Sequence, residues 1–218
     1  MTAARPSRTP LDVLVIGAGQ AGLAVGHHLA RRGLRFVIVD AAPEVGHSWR
    51  SRWDSLRLFT PAEYDGLPGM PFPAEDGTYP GKDAVADYLR AYAARFELPV
   101  VTGTRVERLA RDEGGLFEVT TGQGTLAARQ VVVATGPFQR PRIPEIAASL
   151  DDSVTQLHSS AYLNPAGLPD GKVLVVGAGN SGLQIALELA AAREVHVAAG
   201  RPQRMVSQRP LGRDLFWW

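Results

Sequence analysis

An α/β fold built from two strand–turn–helix–strand units is what this sequence predicts, and three observations carry that prediction. The phrase DVLVIGAGQAG at residues 12–22 returns as KVLVVGAGNSG at residues 172–182. Each copy joins a short β-branched run to a helical pattern through glycines spaced G-x-G-x-x-G, the turn that brings a backbone up to a pyrophosphate. Between the copies lie short strand patterns with glycine turns, which read as a β-meander rather than as further crossover units. The predicted class is therefore two nested Rossmann-type dinucleotide-binding domains. The first carries the inserted meander and the second is incomplete.

The elements follow in order. Residues 1–10 read as a flexible, Pro-rich arm. Val13–Ile16 has the composition of a strand buried on both faces. Gly17 to Gly22 is the turn, and Leu23, Leu29 and Ala30 mark the apolar face of the helix behind it. Gly33 stands where a closing glycine belongs. Phe36–Val39 is the second strand, ending at Asp40. Residues 41–80 lack periodicity, and a stretch of that length inside a domain is usually functional. A helix is predicted over 82–96 from Val85, Tyr88, Leu89 and Tyr92, with Pro99 ending it. The meander occupies 100–134, with Val106, Leu109, Phe117 and Val119 pointing inward and Val131–Val133 as a fully buried strand. Residues 11–150 make the first domain and residues 151–218 the second.

Composition narrows the function. The 218 residues carry a net charge of +1, with 45% hydrophobic and 21% charged residues. That balance is ordinary for a soluble globular chain and gives no electrostatic case for nucleic acid or an acidic membrane surface. There is no cysteine, so disulfides, thiolate metal sites and redox thiol pairs are excluded from this chain. No apolar run approaches the roughly 20 residues of a membrane span, and the first residues lack a signal-peptide core. The expectation is a cytoplasmic protein without metal. Oligomeric state is not legible.

The glycine turns have a shared physics. The first glycine allows the tight turn, the second lets backbone approach phosphate, and the third lets helix and strand pack closely. The helix N-terminus then aims free N–H groups at the anion. Gly17, Gly19, Gln20 and Gly22 form the first cradle; Gly177, Gly179, Asn180, Ser181 and Gly182 form the second. Asp40 falls about 20 residues after the first cradle, where a carboxylate binds ribose hydroxyls. Aligned without a gap, the second copy has Gly200 at that register, then Arg201, with Arg204 beyond. A carboxylate repels a 2′-phosphate and an arginine pairs with it. The first site thus suits an unphosphorylated adenosine ribose, as in FAD or NAD, and the second suits NADP. A chain holding FAD and NADPH can pass a hydride from one to the other.

The ordered set GAGQAG…VIVD, EVGHSWRSRWDSLRLFTP, VVVATGPFQRPRIP, LHSSAY and VVGAGNSG resembles the flavin-containing monooxygenase superfamily, in particular its bacterial CzcO-like and plant YUCCA-type members. The resemblance runs over nearly the whole chain from Leu11. It implies that Trp49 and Arg50 lie along the flavin side of FAD and that the segment from Arg57 to Thr60 reaches its ring edge. It implies that Val106 meets the adenine through its backbone and that Ala134 and Thr135 lead back from the FAD domain. His158 and Tyr162 match the end of the family fingerprint. Asp152 and Val154 stand where its leading Phe and Gly belong.

The implied activity is that of an NADPH-dependent flavoprotein oxidoreductase: NADPH reduces FAD, and the reduced flavin activates O2 to oxygenate a small organic substrate. The sequence names no catalytic acid or base, and this chemistry demands none. Two alternatives stay open: a flavin-linked oxidoreductase without oxygen transfer, and a non-catalytic, truncated dinucleotide-binding module. The second unit supplies two strands where such sheets normally have five or six, and the chain ends in an apolar RPLGRDLFWW. Both features lead to the expectation of an N-terminal fragment.

Overall fold

The computed structural model describes residues 9–200 and 206–217; most of the expected N-terminal arm lies outside them. The chain divides into two units, each described by itself. One gathers the chain up to Arg50 with Gly66–Pro73 and Asp83–Gln139. The other gathers Ser51–Asp65, Ala74–Lys82 and the chain from Arg140 onward.

The first unit is founded on β1 (Leu11–Ile16), α1 (Gln20–Arg31) and β2 (Phe36–Val39). β1 and β2 pair in parallel, with Val13 opposite Phe36 and Ile16 opposite Val39. Leu14, Val15 and Ile38 are completely buried. α1 can lie close on β2 because Gly26 has no side chain: a Cβ there would come within 2.7 Å of the Ile38 Cδ1 atom. The helix closes as predicted at Gly33, whose φ is +65°. The Gly33 N–H donates to the Ala30 carbonyl (2.9 Å) and the Leu34 N–H to that of Leu29 (3.2 Å), the paired closure that satisfies a helix's last carbonyls.

A single turn, α2 (His47–Arg50), precedes the long α3 (Lys82–Arg95). Tyrosines of α3 fasten the irregular Gly66–Pro73 stretch. The Tyr88 hydroxyl donates to the Met70 carbonyl (2.6 Å) and accepts from the Leu67 N–H (2.6 Å), while that of Tyr92 donates to the Pro68 carbonyl (2.7 Å). Burial pushes the Tyr92 phenol up to about 12, so it remains a donor.

α3 stops ahead of Pro99, the residue expected to end it. The same paired closure ends it, with Leu98 N–H to the Ala93 carbonyl (3.0 Å) and Glu97 N–H to that of Ala94 (3.1 Å). Here the left-handed position is filled by Glu97, at φ +47°. A residue with a Cβ pays about 1–2 kcal/mol to sit there, while glycine's extra chain entropy returns about half of that. Glu97→Gly is expected to stabilise the chain by about 0.5–1 kcal/mol, read as a higher urea midpoint. A midpoint that falls would show that Glu97 has contacts worth more than the strain.

Four further strands complete the sheet: β3 (Val100–Val101), β4 (Val106–Arg111), β5 (Phe117–Thr121) and β6 (Gly124–Val133). Their order is β3-β2-β1-β6-β5-β4. β6 serves two ladders. Its first half pairs antiparallel with β5, and from Ala128 onward it pairs in parallel with β1. One strand thus welds the meander to the doubly wound sheet. A bulge between Val106 and Arg108 puts Val106 and Leu109 on one face despite their odd spacing. Leu109 stays 40% exposed because β4 is the edge strand. The expectation that Val131–Val133 is buried on both faces is corrected: Val133 is 63% exposed. It is the last residue of β6, at the rim of the sheet, where pairing continues but cover does not.

The second unit centres on β7 (Val173–Val176), α4 (Asn180–Ala190) and β8 (Val195–Ala198), the two strands pairing in parallel. α4 packs on this pair and buries Ile185, Ala186 and Leu189. Leu174 and Val176 are 62% and 70% exposed. Among the described residues, no helix is long and apolar enough to cross a membrane.

Candidate functional site

Each glycine of the first cradle does a separable job. Gly17 has φ +108° and donates its N–H to the Val39 carbonyl at 2.7 Å. A Cβ on it would stand 2.4 Å from the Ala134 carbonyl oxygen, and one on Gly22 would stand 1.8 Å from that of Gly17. Both positions are closed to any side chain. A Cβ on Gly19 would meet nothing within 4 Å among the described residues. Gly19 is also the N-cap of α1, which has no side-chain cap and no acidic residue in its first turn. Gln20, the first helical residue, is exposed. The loop therefore leaves an open, electropositive helix end beside a bare glycine, which is what a pyrophosphate requires.

Asp40 is seated against this loop. Its Oδ2 accepts the Ala18 N–H (2.6 Å) and its Oδ1 accepts that of Ala42 (2.8 Å). Each carboxylate oxygen keeps a second lone pair, so ribose hydroxyls can be bound while the loop is braced. Asp40→Ala is expected to weaken FAD binding by about 1–3 kcal/mol, the effect of losing hydrogen bonds to a charged group. A fluorescence titration with FAD checks this, and an unchanged dissociation constant would remove Asp40 from the site. Ala134 and Thr135 complete the wall: the Ala134 N–H donates to the Ile16 carbonyl at 2.8 Å, and its own carbonyl faces Gly17.

Other predicted residues of this unit are placed differently. Arg50 is held by Asp87 (2.8 Å), Asp83 and Glu44 (both 3.5 Å). The hydrogen bond to Asp87 raises the Arg50 guanidinium further and lowers the Asp87 carboxyl. These contacts tie α2 to α3. Trp49 is half-buried in α2, its N–H on the Gly46 carbonyl at 2.9 Å. Val106 begins β4 and packs at the edge of the cluster formed by Leu14, Val39, Val119 and Ala128.

The second cradle repeats the first. Gly177 has φ +103° and donates to the Ala198 carbonyl at 2.9 Å. A Cβ on Gly182 would stand 2.0 Å from the Gly177 carbonyl oxygen, while one on Gly179 would meet nothing within 4 Å among the described residues. α4 also lacks a side-chain cap, and its Ser181 is exposed. The strand register corrects the ungapped comparison. Ile16 pairs with Val39, and its counterpart Val176 pairs with Ala198. The residue after the strand, Asp40 in the first copy, is therefore Ala199 in the second, and Gly200 lies one position further on. The missing residue comes from the helix: α1 has 12 residues and α4 has 11, and the helix-to-strand connection is the same length in both copies. Arg201 and Arg204 lie outside the described residues.

His158 is turned onto its own loop: its Nδ1 accepts the Ser160 N–H (3.1 Å) and lies 2.8 Å from the Ser160 hydroxyl. Tyr162 is buried and donates its hydroxyl to Glu188 of α4 at 2.6 Å. Burial and that carboxylate push the phenol well above its usual range.

Several polar residues of the second unit gave no sequence signal. Gln184 of α4 accepts the Arg57 N–H (3.2 Å) and donates to the Arg57 carbonyl (3.0 Å). The exposed Arg57 side chain donates to the Tyr79 carbonyl at 3.2 Å. Asp65 is held by the Thr60 hydroxyl through Oδ1, its buried Oδ2 has no hydrogen-bond partner among the described residues, and burial raises its carboxyl. The buried Trp53 Nε1 likewise has no partner among the described residues. The signal that could have found two of them is the four-residue spacing of Gln184 and Glu188, which aligns them on one face of α4. Among the described residues, no cluster of three or more His, Cys, Asp or Glu side chains could hold a metal.

Comparison with known proteins places the chain in a family and matches its fold to solved structures. The family described as pyridine nucleotide-disulphide oxidoreductase matches residues 14–211. An uncharacterized CzcO-like oxidoreductase of Geobacillus kaustophilus (strain HTA426) is 50% identical over 208 residues, covering 95% of this chain and 60% of the relative. The structure of a flavin-containing monooxygenase from Stenotrophomonas maltophilia superposes with a TM-score of 0.85 at 37% identity, covering 91% of this chain and 60% of that one. The structure of OTEMO in complex with FAD and NADP gives a TM-score of 0.69 at 27% identity, covering 87% and 39%. The chain thus spans 60% of the length of the first two.

Proposed function

The chain belongs to the pyridine nucleotide-disulphide oxidoreductase family, and from that premise we propose that it works as an NADPH-dependent flavoprotein oxidoreductase of the monooxygenase type, acting with O2 on a small organic substrate. The observation that carries this reading is the pair of open glycine cradles, each at an uncapped helix end. Relatives named as flavin monooxygenases and the FAD- and NADP-bound neighbour support reading the cradles as dinucleotide sites. The absence of cysteine leaves this chain without the paired thiols of disulfide chemistry.

The residues present fit both dinucleotides. Gly17, Gly19, Gln20 and Gly22 would hold the FAD pyrophosphate on the N-terminus of α1, and Asp40 would accept its ribose hydroxyls. Ala134 and Thr135 wall the loop. Trp49, Arg50, Arg57, Val106 and His158 are assigned to the remainder of the dinucleotide surfaces on the family resemblance. Gly177, Gly179, Asn180, Ser181 and Gly182 would hold the NADPH pyrophosphate on α4, with Arg201 and Arg204 pairing with the 2′-phosphate. Bound there, the flavin supplies hydride acceptance and oxygen activation; the protein supplies position and electrostatics. In this reading residues 11–150 form the FAD domain and 151–218 the NAD(P)H domain.

The test is a visible spectrum of the purified chain after incubation with FAD and desalting, followed by anaerobic NADPH. A retained flavin band that bleaches with NADPH supports the reading. A flavin band that NADPH leaves unchanged removes the hydride step, and a colourless protein removes the FAD site of this chain. If reoxidation by O2 releases hydrogen peroxide with every substrate tried, the reading without oxygen transfer takes over. The departures at Asp152 and Val154 favour that second reading.

A further inference from the structure

Gln184 uses its whole carboxamide on one backbone residue 127 positions earlier. Its Oε1 takes the Arg57 N–H at 3.2 Å and its Nε2 gives to the Arg57 carbonyl at 3.0 Å. A carboxamide is the side-chain group that can mimic a neighbouring strand in this way, because it presents a donor and an acceptor side by side; a carboxylate can only accept. Gln184 lies one turn inside α4, about 6 Å along the axis from the helix end at the second cradle.

The clasped segment is held from its other side as well. Arg57 makes an antiparallel bridge with Gly81, and the Leu58 N–H donates to the Pro80 carbonyl at 2.9 Å. Phe59 follows, half of its surface exposed, with its carbonyl accepting from Gln208. A second route reaches the same stretch from α4. Glu188 holds Tyr162, the Leu163 carbonyl accepts the Asp54 N–H at 2.8 Å, and Asn164 donates to the Asp54 carboxylate at 2.8 Å. The helix that begins at the second cradle is therefore hydrogen-bonded directly to Arg57 through Gln184, whereas its Glu188 reaches Asp54 only by way of residues 162–164.

We propose that Gln184 is a positioning residue that couples the second cradle to the 57–60 segment, so that a nicotinamide dinucleotide seated on α4 restrains Arg57 and Phe59. This rests on the reading of the second cradle as the NADPH site. The physical link is short. Anion binding at the end of α4 orders its first turns, and the Arg57 backbone takes both of its Gln184 contacts from the turn that follows. No protein group other than Gln184 is needed to carry the restraint to Arg57.

Amide hydrogen exchange of the 218-residue chain, with and without NADPH, tests the coupling. NADPH affinity is measured in parallel by fluorescence titration. Gln184→Met keeps length and helix propensity but removes both bonds. Gln184→Glu keeps the acceptor for the Arg57 N–H and loses the donor. Without ligand, the Arg57 amide is expected to exchange about tenfold faster in the Met variant, the equivalent of one lost hydrogen bond, and to remain protected in the Glu variant. With NADPH, exchange at 57–60 slows in the parent and not in the Met variant, although both bind NADPH. Equal ligand-free exchange at Arg57 in parent and Met variant overturns the clasp. NADPH protection that survives in the Met variant overturns the coupling. If the parent fails to bind NADPH, the reading of the second cradle is overturned and the coupling with it, while the ligand-free comparison still decides the clasp. If the Met variant does not fold, the Glu variant decides: loss of NADPH protection at 58–60, with Arg57 still protected, supports the coupling, and full protection overturns it.

Discussion

Gly22→Ala is expected to abolish FAD retention, whereas Gly19→Ala is expected to weaken FAD binding without touching the fold. The two glycines stand three residues apart in one motif, and the structure separates them sharply. A methyl on Gly22 would lie 1.8 Å from the Gly17 carbonyl oxygen, a backbone atom that moves only if the whole turn moves. Such overpacking costs about 1–3 kcal/mol, and at the upper end that is a factor of about 100 in any affinity that depends on the turn. A methyl on Gly19 meets nothing within 4 Å, and Gly19 has φ −79°, a conformation that alanine adopts freely. Its methyl competes only with the incoming phosphate. The measurement is a thermal midpoint and a FAD titration on both variants. Gly22→Ala lowers both, and Gly19→Ala lowers affinity by about tenfold, as one lost backbone contact would, at an unchanged midpoint. Equal FAD affinity in Gly19→Ala and the parent would show that the open glycine is not where the pyrophosphate lies.

The contrast explains why the cradles were legible from sequence. Each glycine answers a local steric demand, and local demands leave local marks: Gly17 and Gly177 for a left-handed turn, Gly22 and Gly182 for the close approach of helix and turn, Gly19 and Gly179 for an open helix end. Gly33 and the Tyr88–Tyr92 face of α3 were legible for the same reason. Contacts between distant segments left no such mark. Nothing near Arg57 announces that Gln184 will hold it, because the pairing depends on where the chain goes in the residues between. Burial was misjudged at Val133 because a β-branched run reports that a strand is paired, not that a layer covers it. The end of α3 fell within one residue of the expected 82–96, although the left-handed closing position is held by Glu97 rather than by a glycine.

The one-residue register difference between the two copies carries the second large expectation. Comparing the copies without a gap sets Gly200 against Asp40, but the strand pairing sets Ala199 there. Ala199→Asp should therefore install, in the second cradle, the carboxylate that the first cradle already has. A fixed negative charge at that position would oppose the 2′-phosphate of NADPH and accept the 2′-hydroxyl of NADH. Close like-charge juxtaposition costs on the order of a few kcal/mol when desolvated. At the exposed end of β8 solvent screening reduces this, and a shift of about tenfold to a hundredfold from NADPH toward NADH is expected. Gly200→Asp is the control. Among the described residues a Cβ there meets nothing within 4 Å, so the substitution is expected to be tolerated, but its carboxylate is displaced by one residue, onto the opposite side of an extended chain. The ratio of dissociation constants for NADPH and NADH, measured on both variants, separates the alternatives. Reversal by Ala199→Asp alone supports the structural register. Reversal by Gly200→Asp alone would mean that the second loop is drawn out by one residue when the dinucleotide binds. No change in either variant would place the discrimination entirely on Arg201 and Arg204, whose replacement by alanine would then have to erase the preference for NADPH.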